Sequence, residues 1–466
     1  MEMAHSHATS SKATASGDAW ETAKAMLDHA PNGYVYKDGK RWKTYFPSLP
    51  LDLDMRLRKA YMGGLNISRH RGLNVATEDV PIVHEDLHSS YPARLHDYPL
   101  PVGRPVMSAL PPCDGVLYIA EVRVRFKVKE GMFAWFQFKN GLDCMLEGIE
   151  PGTPVEECKE WHELTLTNID LELLARWYDL EIDDDYPAVF FIFTSATGVF
   201  ADYVDRFFRE KEEAGARGDK LSRTLAKLKL NSLYGRFGLN VSSSESNELV
   251  FDEELGDWNW ESSPEDPDDD IDCYVPMAIF CTAWARYALL DGCERVGPEN
   301  VIHCDTDSII HFGAEVDDMD HRDILGAWGI ESRPLSVREA GFKRYFEVLR
   351  PLEEFDAKNE KHTIDKFISI GCAGVPQKYY KDTRAPRGMW LEILDNPDVI
   401  YQEGYELGQA HYVIKSKWLR ELYEFYGLDP DDVDTLKHIP VRCTGGSIFK
   451  DRTHKLNDNL FWRLRR

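Results

Sequence analysis

Residues 301–312 read Val-Ile-His-Cys-Asp-Thr-Asp-Ser-Ile-Ile-His-Phe, so that two acidic residues are enclosed between apolar arms. This pattern predicts a β-hairpin with buried strands and a short polar turn. Asp305 and Asp307 would lie at its tip, where neighbouring carboxylates repel one another unless a cation neutralises them. The Asp-x-Asp spacing alone says little, because it recurs elsewhere, for example at Asp183 and Asp185. Its position between apolar arms is what predicts a cation site.

A second acidic segment, Asp86-Leu87-His88-Ser89-Ser90-Tyr91-Pro92, follows an apolar run at Val80–His84 that reads as a strand. A carboxylate at a strand end, together with the Leu87 carbonyl, suits a hard divalent ion such as Mg²⁺. The run Ser89–Pro92 predicts a helix start, whose free N–H groups suit a triphosphate, with Tyr91 under the sugar. By itself, this segment is better explained as a strand–turn–helix corner with a solvated Asp86.

A third segment, Lys227-Leu-Lys-Leu-Asn-Ser-Leu-Tyr-Gly235, follows a basic stretch and is predicted to be helical. Lys227, Asn231 and Tyr234 are spaced i, i+4 and i+7, so they share one face. A lysine for phosphates, an amide and an aromatic ring would suit a nucleotide, and Gly235 would let a base approach. The alternative is a basic, solvated face with a core tyrosine. The poor helix propensity of Asn-Ser-x-Tyr-Gly weakens that alternative.

Composition indicates a globular protein with unevenly distributed charge. The chain has 466 residues, enough for about two to four compact units, and 43% of them are apolar. The formal net charge of −25 is unusual for a nucleic-acid enzyme. However, residues 251–272 hold eleven acidic and no basic residues, whereas residues 211–236 are strongly basic. Local potential therefore matters more to a ligand than the global sum.

Cysteine usage and hydropathy predict a cytoplasmic protein. The nine cysteines include no Cys-x-x-Cys pair, which argues against a disulfide framework and against a zinc site. The N-terminal segment lacks the apolar core of a signal peptide. No run of 18 apolar residues occurs, so we expect no membrane span.

Local patterns predict several further elements. Val116–Val128 alternates apolar and polar residues as a strand does, and Thr167–Trp177 is predicted to be an apolar-faced helix capped by Asn168 or Thr167. Residues 199–236 are predicted to be mostly helical, with a Gly-containing break near Ala214–Gly218. We expect residues 61–64 to interrupt regular structure, residues 240–273 to form an exposed loop or hairpin, and Val413–Tyr426 to form a helix.

The three segments, in this order, resemble the polymerase motifs of family B DNA polymerases, most closely the protein-primed branch from small tailed bacteriophages. Tyr61-Met62-Gly63-Gly64 resembles the YxGG element of that branch, and Thr167–Leu173 resembles part of its first terminal-protein insertion. Tyr274–Arg286 is similar to the helix that leads to the third motif. The resemblance covers about residues 44–375.

The resemblance implies an α+β right-hand polymerase with an antiparallel-sheet palm, helical fingers, a small thumb and two insertions. The implied divisions are a tail or remnant of an exonuclease linkage at 1–43, the first part of the palm at 44–97, a first insertion at 98–200, fingers at 201–239, an acidic second insertion at 240–273, the second part of the palm at 274–371, and the thumb with a C-terminal extension at 372–466.

The resemblance also implies a role for each matched residue. Asp86 and Asp307, with the Leu87 carbonyl, would bind two Mg²⁺ ions, which Mn²⁺ could replace, and Asp305 would support the turn in the catalytic set. Tyr91 would exclude ribonucleotides by blocking a 2′-hydroxyl. The implied contacts to the incoming dNTP are Tyr91, Lys211, Lys227, Asn231, Tyr234 and Gly235, and those to DNA are Tyr61, Gly63, Gly64 and Ser89.

The sequence departs from the family in three places. Residues 1–43 are too few for a proofreading exonuclease, so we expect no 3′→5′ exonuclease in this chain, which would be a truncated form, a split gene product or a prophage relic. Leu352–Phe355 lacks the family's Lys-x-Tyr element, for which Lys343-Arg344-Tyr345 could substitute, and Gly371 stands where a Lys is expected. The acidic cluster at 251–272 would repel DNA, so we expect it to face solvent or a basic partner.

The leading hypothesis is a DNA-directed DNA polymerase that primes from a 3′-hydroxyl or a protein hydroxyl. Its expected partners are template-primer DNA, dNTPs and a terminal protein, and a separate exonuclease chain is a further candidate. It would act in the cytoplasm of a bacterial host and be encoded by a phage or prophage. One alternative is a non-catalytic DNA-binding or priming scaffold left by gene decay. Another is a different two-metal nucleotidyltransferase, such as a reverse transcriptase, which usually carries adjacent acids where this chain has Asp-Thr-Asp.

Overall fold

The computed structural model describes most of the first 372 residues. The described residues are 15–29, 42–138, 152–239, 245–252, 257–264, 273–317, 321, 323–341, 344–351, 354 and 366–372. The helix predicted within the thumb, Lys343, and most of Leu352–Phe355 therefore lie outside the described residues, as does the predicted thumb apart from Cys372.

The described residues form helices and strands in the following order. The helices are α1 (Ala15–His29), α2 (Trp42–Tyr45), α3 (Leu51–Arg58), α4 (Ser90–Asp97), α5 (Asn168–Trp177), α6 (Ala201–Ala216), α7 (Lys220–Phe237) and α8 (Val275–Val296). The strands are β1 (Asn66–Ser68), β2 (Gly72–Val75), β3 (Ile82–Leu87), β4 (Leu100–Ser108), β5 (Leu117–Val128), β6 (Glu157–Thr167), β7 (Tyr178–Ile182), β8 (Val189–Ala196), β9 (Glu245–Asp252), β10 (Asp257–Pro264), β11 (Val301–Asp305), β12 (Ser308–Phe312), β13 (Trp328–Ser332), β14 (Ser336–Gly341), β15 (Arg344–Val348) and β16 (Ile368–Cys372).

The chain divides into two compact units, and the division falls inside β3. The first unit comprises residues 1–64, 87–291 and 319–329, and the second comprises residues 65–86, 292–318 and 330–466. The domain boundaries predicted from the sequence remain predictions.

Two antiparallel sheets characterise the second unit. One has the order β1-β11-β12-β3-β13, with β1 and β13 as its outer strands. The other has the order β16-β15-β14-β2. Buried apolar side chains pack together on these strands: Ile82, Ile302, Ile310 and Val337. This packing explains why the arms on either side of Asp305 and Asp307 are apolar.

The first unit contains a sheet with strand order β4-β8-β5-β6, in which β7 also pairs with β5. Its central strand β5 runs from Leu117 to Val128 and alternates buried and partly exposed residues, as the sequence predicts. Helix α5 follows β6 directly and begins where the Thr167 side chain accepts a hydrogen bond from the Asp170 N–H. The predicted helix and one of its two suggested caps are thereby confirmed.

Helices α6 and α7 of the first unit contact each other and are separated by a break at residues 217–219. The predicted helical region and its Gly-containing break are thus confirmed. Asp219 caps α7 by accepting a hydrogen bond from the Ser222 N–H. Trp20 of α1 is buried and its ring meets Phe237 at 4.9 Å between centroids. α1 therefore packs against the end of α7.

Two features settle smaller predictions. β9 and β10 pair antiparallel, from Asp257 opposite Asp252 to Pro264 opposite Glu245, so these two strands form the hairpin that was one of the two alternatives for this region. Within the described ranges, no helix combines the length and hydropathy that crossing a bilayer requires.

Candidate active site

The predicted acidic hairpin of the second unit is present. β11 and β12 pair so that Asp305 lies opposite Ser308, with Thr306 and Asp307 as the turn. Thr306 has φ +60°, a conformation that is strained for a β-branched residue. Its N–H donates to the Leu65 carbonyl at 2.7 Å, and the Asp307 N–H donates to the Asp305 carbonyl at 2.6 Å. These bonds hold the strained turn in place.

Asp86 lies beside this hairpin, although the chain separates it widely from Asp307. In the pairing of β12 with β3, Ser308 is opposite Asp86. Ser308 is also opposite Asp305, and Asp305 is opposite Asn66 of β1, so one cross-strand row holds two acids. Asp86, Asp305 and Asp307 are all half-buried. The structure thus places the three acids that the sequence singled out on neighbouring strands and in the turn that joins two of them.

The predicted start and end of the strand before Asp86 were wrong. β3 runs from Ile82 to Leu87, so Asp86 lies inside the strand rather than after it. Pairing with Ser308 extends the strand through this residue. At the other end, Val80 belongs to a turn, in which its N–H donates to the Thr77 Oγ1 at 3.0 Å.

The donor chemistry at this row suits a hard divalent ion. Asp86 and Asp307 offer carboxylate oxygens, which Mg²⁺ prefers, and the Leu87 carbonyl follows in the same strand. Among the described residues, no group of three or more His, Cys, Asp or Glu side chains gathers in a metal-binding arrangement. A metal ion bound by these two carboxylates would therefore complete its coordination with carbonyl, water and phosphate oxygens, as is usual for Mg²⁺.

Two buried histidines lie in the same strands as these acids. His84 Nδ1 is 2.8 Å from Glu347 Oε1, and His303 Nδ1 is 3.3 Å from Glu339 Oε1. The ring of Tyr345 contacts both imidazoles, at 5.8 Å and 5.2 Å between centroids. Burial acts to lower the pKa of His84, but the Glu347 carboxylate outweighs it and raises that pKa. Burial raises the pKa of Tyr345.

Sequence reasoning missed this polar layer, although it could have been found. His84 lies two residues before Asp86 in β3, and His303 lies two residues before Asp305 in β11. Because side chains alternate along a strand, each histidine is on the same face of the sheet as the acid that follows it. Polar residues inside otherwise apolar strands are the available signal, because buried polar groups need partners.

Tyr345 also explains why a glycine stands at position 371. Gly371 of β16 lies opposite Tyr345 of β15, and a Cβ there would come within 2.5 Å of ring atoms of Tyr345. A lysine at this position would require the ring to move. The suggested replacement of the Lys-x-Tyr element by Lys343–Tyr345 remains a prediction.

In the first unit, the candidate phosphate-binding lysine is buried near the start of α4. Lys211 is only 3% exposed. Its Nζ donates to His88 Nε2 at 2.6 Å and to Ser89 Oγ at 3.1 Å, and lies 3.2 Å from Glu212 Oε1. Burial lowers the pKa of Lys211. Burial, and next the Lys211 charge, lower the pKa of His88, which suits a neutral imidazole acceptor.

The left-handed conformation of Ser89 makes this contact possible. Ser89 has φ +56° and precedes α4 without a side-chain cap bond, which leaves its hydroxyl to Lys211. The helix start predicted for Ser89–Pro92 is confirmed. His88 was not assigned a role from the sequence, and its imidazole is the polar contact that this reasoning missed.

The residues predicted to contact the sugar and the base of the nucleotide, Tyr91 and Tyr234, contact each other through their rings. Tyr91 of α4 and Tyr234 of α7 are stacked, with centroids 4.0 Å apart. Lys227 and Asn231 of the same helix are exposed, whereas Tyr234 is half-buried. A Cβ on Gly235 would meet no atom within 4 Å, so the space beside this residue is open.

The YxGG-like segment lies at the end of α7. Residues 61–64 are irregular, as predicted, and Gly63 has φ +72°. A Cβ on Gly238, the C-cap of α7, would fall 2.8 Å from Tyr61 Oη, so the Tyr61 ring covers this glycine. Burial raises the pKa of Tyr61 to about 12.

Comparisons with known proteins identify the family of this chain. The family model described as DNA polymerase type B, organellar and viral, matches residues 5–318. The chain therefore belongs to the type B DNA polymerases of organelles and viruses. It is 31% identical over 355 residues to the DNA polymerase of Bacillus phage phi29, covering 74% of this chain, and 29% identical over 321 residues to that of Streptococcus phage Cp-1, covering 67%.

The same family appears among solved structures. A ternary complex of phi29 DNA polymerase with primer-template DNA and incoming nucleotides superposes with a TM-score of 0.63 at 28% identity, covering 79% of this chain and 61% of that one. The resemblance to phage family B polymerases and the α+β fold class are thus confirmed. The chain spans 58% of the phi29 relative and 54% of the Cp-1 relative.

Proposed function

We propose that this chain is a DNA-directed DNA polymerase that adds deoxynucleotides to a 3′-hydroxyl. Membership of the type B polymerases supports the class of reaction. The observation that carries the proposal is the cross-strand register of Asp86 and Ser308, which brings Asp86 beside the Asp305–Asp307 turn. Placing acids from such distant parts of the sequence in one cross-strand row costs free energy, because their carboxylates repel one another. A bound cation would remove that cost.

The proposed metal ligands are Asp86, the Leu87 carbonyl and Asp307. Two bound Mg²⁺ ions, or Mn²⁺ in their place, would activate the attacking hydroxyl and neutralise charge on the leaving pyrophosphate. Asp305 supports the turn, since its carbonyl accepts the Asp307 N–H and its carboxylate accepts the Thr306 hydroxyl at 3.0 Å. The role of these residues is to fix the carboxylates before substrate arrives.

The proposed nucleotide pocket uses residues of the first unit. Lys211 and Lys227 bind the triphosphate, since lysine is a compact point charge for phosphate oxygens. Tyr91 lies under the sugar, where its ring blocks a 2′-hydroxyl. Tyr234 and Asn231 border the nascent base pair, next to the open space at Gly235.

DNA contacts and priming extend the same proposal. Tyr61, Gly63, Gly64 and Ser89 contact template-primer DNA, and the sheet of residues 98–200 receives a terminal protein whose hydroxyl can start a strand. The host cytoplasm is the proposed place of action. The lack of 3′→5′ exonuclease activity in these 466 residues remains a prediction, and a separate exonuclease chain remains a candidate partner.

A primer-extension assay tests the proposal. The full chain is incubated with a labelled primer on a defined DNA template, dNTPs and Mg²⁺ or Mn²⁺. We expect extension that follows the template and stops on chelation of the metal. Labelled single-stranded DNA in parallel reactions reports 3′→5′ degradation, which we expect to be absent.

A matched variant tests whether primer extension depends on the proposed metal site. Asp86→Asn removes one proposed ligand while keeping the side chain's shape. Extension at an unchanged rate by Asp86→Asn, or no extension by a folded wild-type chain under any of these conditions, would contradict the proposal.

A further inference from the structure

A fully buried arginine links two elements of the first unit that are distant in sequence. Arg286 of α8 has no exposed side-chain surface, and its Nε and Nη2 donate to the two carboxylate oxygens of Asp170 at 2.9 Å and 2.8 Å. Its Nη1 donates to the Gly63 carbonyl at 2.6 Å. The two hydrogen bonds to Asp170 leave the guanidinium little freedom to move. Its third hydrogen bond therefore also restrains the Gly63 carbonyl.

Asp170 is itself held in one orientation. Its Oδ2 accepts from Thr167 Oγ1 at 2.7 Å, while its N–H donates to the same hydroxyl at 3.0 Å. Thr167 is the N-cap of α5. The carboxylate is therefore anchored to the start of α5, which belongs to the region 98–200.

On the other side, the Gly63 carbonyl belongs to the segment that covers the end of α7. Gly63 has a left-handed backbone, and two residues earlier the Tyr61 ring lies over Gly238. Arg58 adds to this contact, because it donates to the Gly238 carbonyl at 3.2 Å and the Leu239 carbonyl at 2.6 Å. The last turn of α7 thus rests on residues 58–63.

We propose that Arg286 and Asp170 are positioning residues for the nucleotide pocket. Their hydrogen bonds fix the Gly63 carbonyl, and the short segment from Tyr61 to Gly63 is thereby held in place. Because the Tyr61 ring lies over Gly238, the C-cap of α7, this segment also fixes the position of the end of α7. Tyr234 lies one turn before Gly238 and stacks on Tyr91, so a displaced helix end moves the ring that borders the nucleotide. The role in catalysis rests on the proposed function, whereas the mechanical link does not.

The chemistry of the pair makes the link sensitive to conservative changes. Arg286→Lys keeps the charge but cannot bridge both oxygens of Asp170 and reach Gly63 at once. Asp170→Asn keeps the shape but turns one acceptor into a donor that faces a guanidinium. Breaking a buried pair can also unfold a protein, so the two variants are used side by side.

A third variant disturbs the same link from its far end. Gly238→Ala places a methyl group 2.8 Å from Tyr61 Oη and so displaces the Tyr61 ring without touching the ion pair. The matched control is Arg176→Lys, which alters a partly exposed pair with Asp291 between α5 and α8 at 3.5 Å. None of these variants substitutes a proposed metal ligand, nucleotide contact or DNA contact.

The first measurement is hydrogen exchange, which needs no activity. In Arg286→Lys and Asp170→Asn we expect faster exchange in peptides covering residues 61–64 and 234–239, with exchange in Arg176→Lys unchanged. Gly238→Ala should reproduce the change at 61–64. Unchanged exchange in both segments for the folded variants would overturn the mechanical link.

The second measurement is steady-state incorporation. We expect the KM for dNTP to rise about tenfold in Arg286→Lys with kcat within about twofold, because a misplaced pocket loses ground-state contacts. Arg286→Lys and Gly238→Ala combined should raise the KM by less than the product of their single effects, since both act through Tyr61. An unchanged KM, or effects that multiply, would overturn the positioning role. No incorporation by wild type would instead overturn the proposed function and leave the exchange result to decide the link.

Discussion

The rings of Tyr91 and Tyr234 are stacked, with centroids 4.0 Å and planes 26° apart. Tyr91 comes from the first turn of α4 and Tyr234 from the last two turns of α7, so the stack joins two helices of the first unit. An aromatic pair of this kind adds about 0.5–1.5 kcal/mol beyond burial. Each ring therefore holds the other, and a change at either residue is felt by its partner.

Replacing Tyr91 by valine should relax sugar discrimination. The smaller side chain opens the space under the sugar where the phenol ring would meet a 2′-hydroxyl. We expect the ratio of kcat/KM for dNTP over rNTP to fall by about 10²-fold, within the range that steric pockets achieve. Single-nucleotide incorporation with each substrate measures the ratio.

Two controls separate this effect from loss of the stack. Tyr91→Phe keeps the ring and should keep discrimination. Tyr98→Val removes an aromatic ring from the end of the same helix, where it packs on Trp284 at 5.0 Å, and should leave the ratio unchanged. Unaltered sugar selection in Tyr91→Val would refute the proposed role.

Asp307→Asn should abolish incorporation while the chain stays folded. Removing one carboxylate charge removes several kcal/mol of proposed metal-mediated stabilisation, which corresponds to a loss of roughly 10³-fold in kcat. Because the mutual repulsion of the acids also falls, the midpoint of thermal unfolding should not decrease. Primer extension and a thermal melt measure the two effects.

The control for this change is Asp79→Asn, which alters an exposed acid of the second unit. It should leave both incorporation and the melting midpoint unaltered. Wild-type rates in Asp307→Asn would remove Asp307 from the proposed active site.

The parts of the fold that the sequence predicted correctly are those with local signals. Alternation identified β5, an apolar face after a candidate Thr or Asn cap identified α5, and apolar arms around a polar turn identified the β11–β12 hairpin. Each of these patterns repeats within a few residues, so one window of sequence contains all of the information.

The strand pairing and the buried polar pairs could not be predicted in this way. Asp86 lies in a strand because Ser308 pairs with it, and neither sequence neighbourhood contains that information. His84 depends on Glu347, and Lys211 on His88, across similar separations. The role of such a residue depends on a partner that is distant in sequence. Its local sequence therefore shows only a polar residue with no evident partner.

Lys211 should control affinity for the triphosphate rather than the rate of transfer. Lys211→Ala removes a buried ammonium that His88 and Ser89 hold in place, so we expect the KM for dNTP to rise by about 10–100-fold with a smaller change in kcat. Steady-state incorporation at saturating primer-template separates the two constants.

The matched control for Lys211 is Lys159→Ala, which removes an exposed lysine paired with Glu157 in β6. It should leave the KM for dNTP unaltered. A KM for Lys211→Ala equal to that of wild type would exclude this lysine from the triphosphate site.

The His84–Glu347 pair should make stability depend on pH in a direction that its pKa shift fixes. The carboxylate raises the pKa of His84 above its usual value near 6.5, so the folded chain binds this proton more tightly than the unfolded chain does. The resulting stabilisation is fully present below about pH 6.5 and is lost as pH rises through the raised pKa. Glu347→Gln removes the carboxylate and therefore the reason for the shift.

We accordingly expect Glu347→Gln to reduce the free energy of unfolding by about 3 kcal/mol at pH 6, the cost of breaking a buried pair, and by less at pH 9. Urea unfolding at both pH values measures the difference between wild type and variant. The exposed His96–Asp97 pair, at 2.6 Å, supplies the control, because Asp97→Asn breaks a contact that solvent screens and should change stability little at either pH. A loss in Glu347→Gln that stays constant or grows from pH 6 to pH 9 would show that His84 is not protonated more readily in the folded chain.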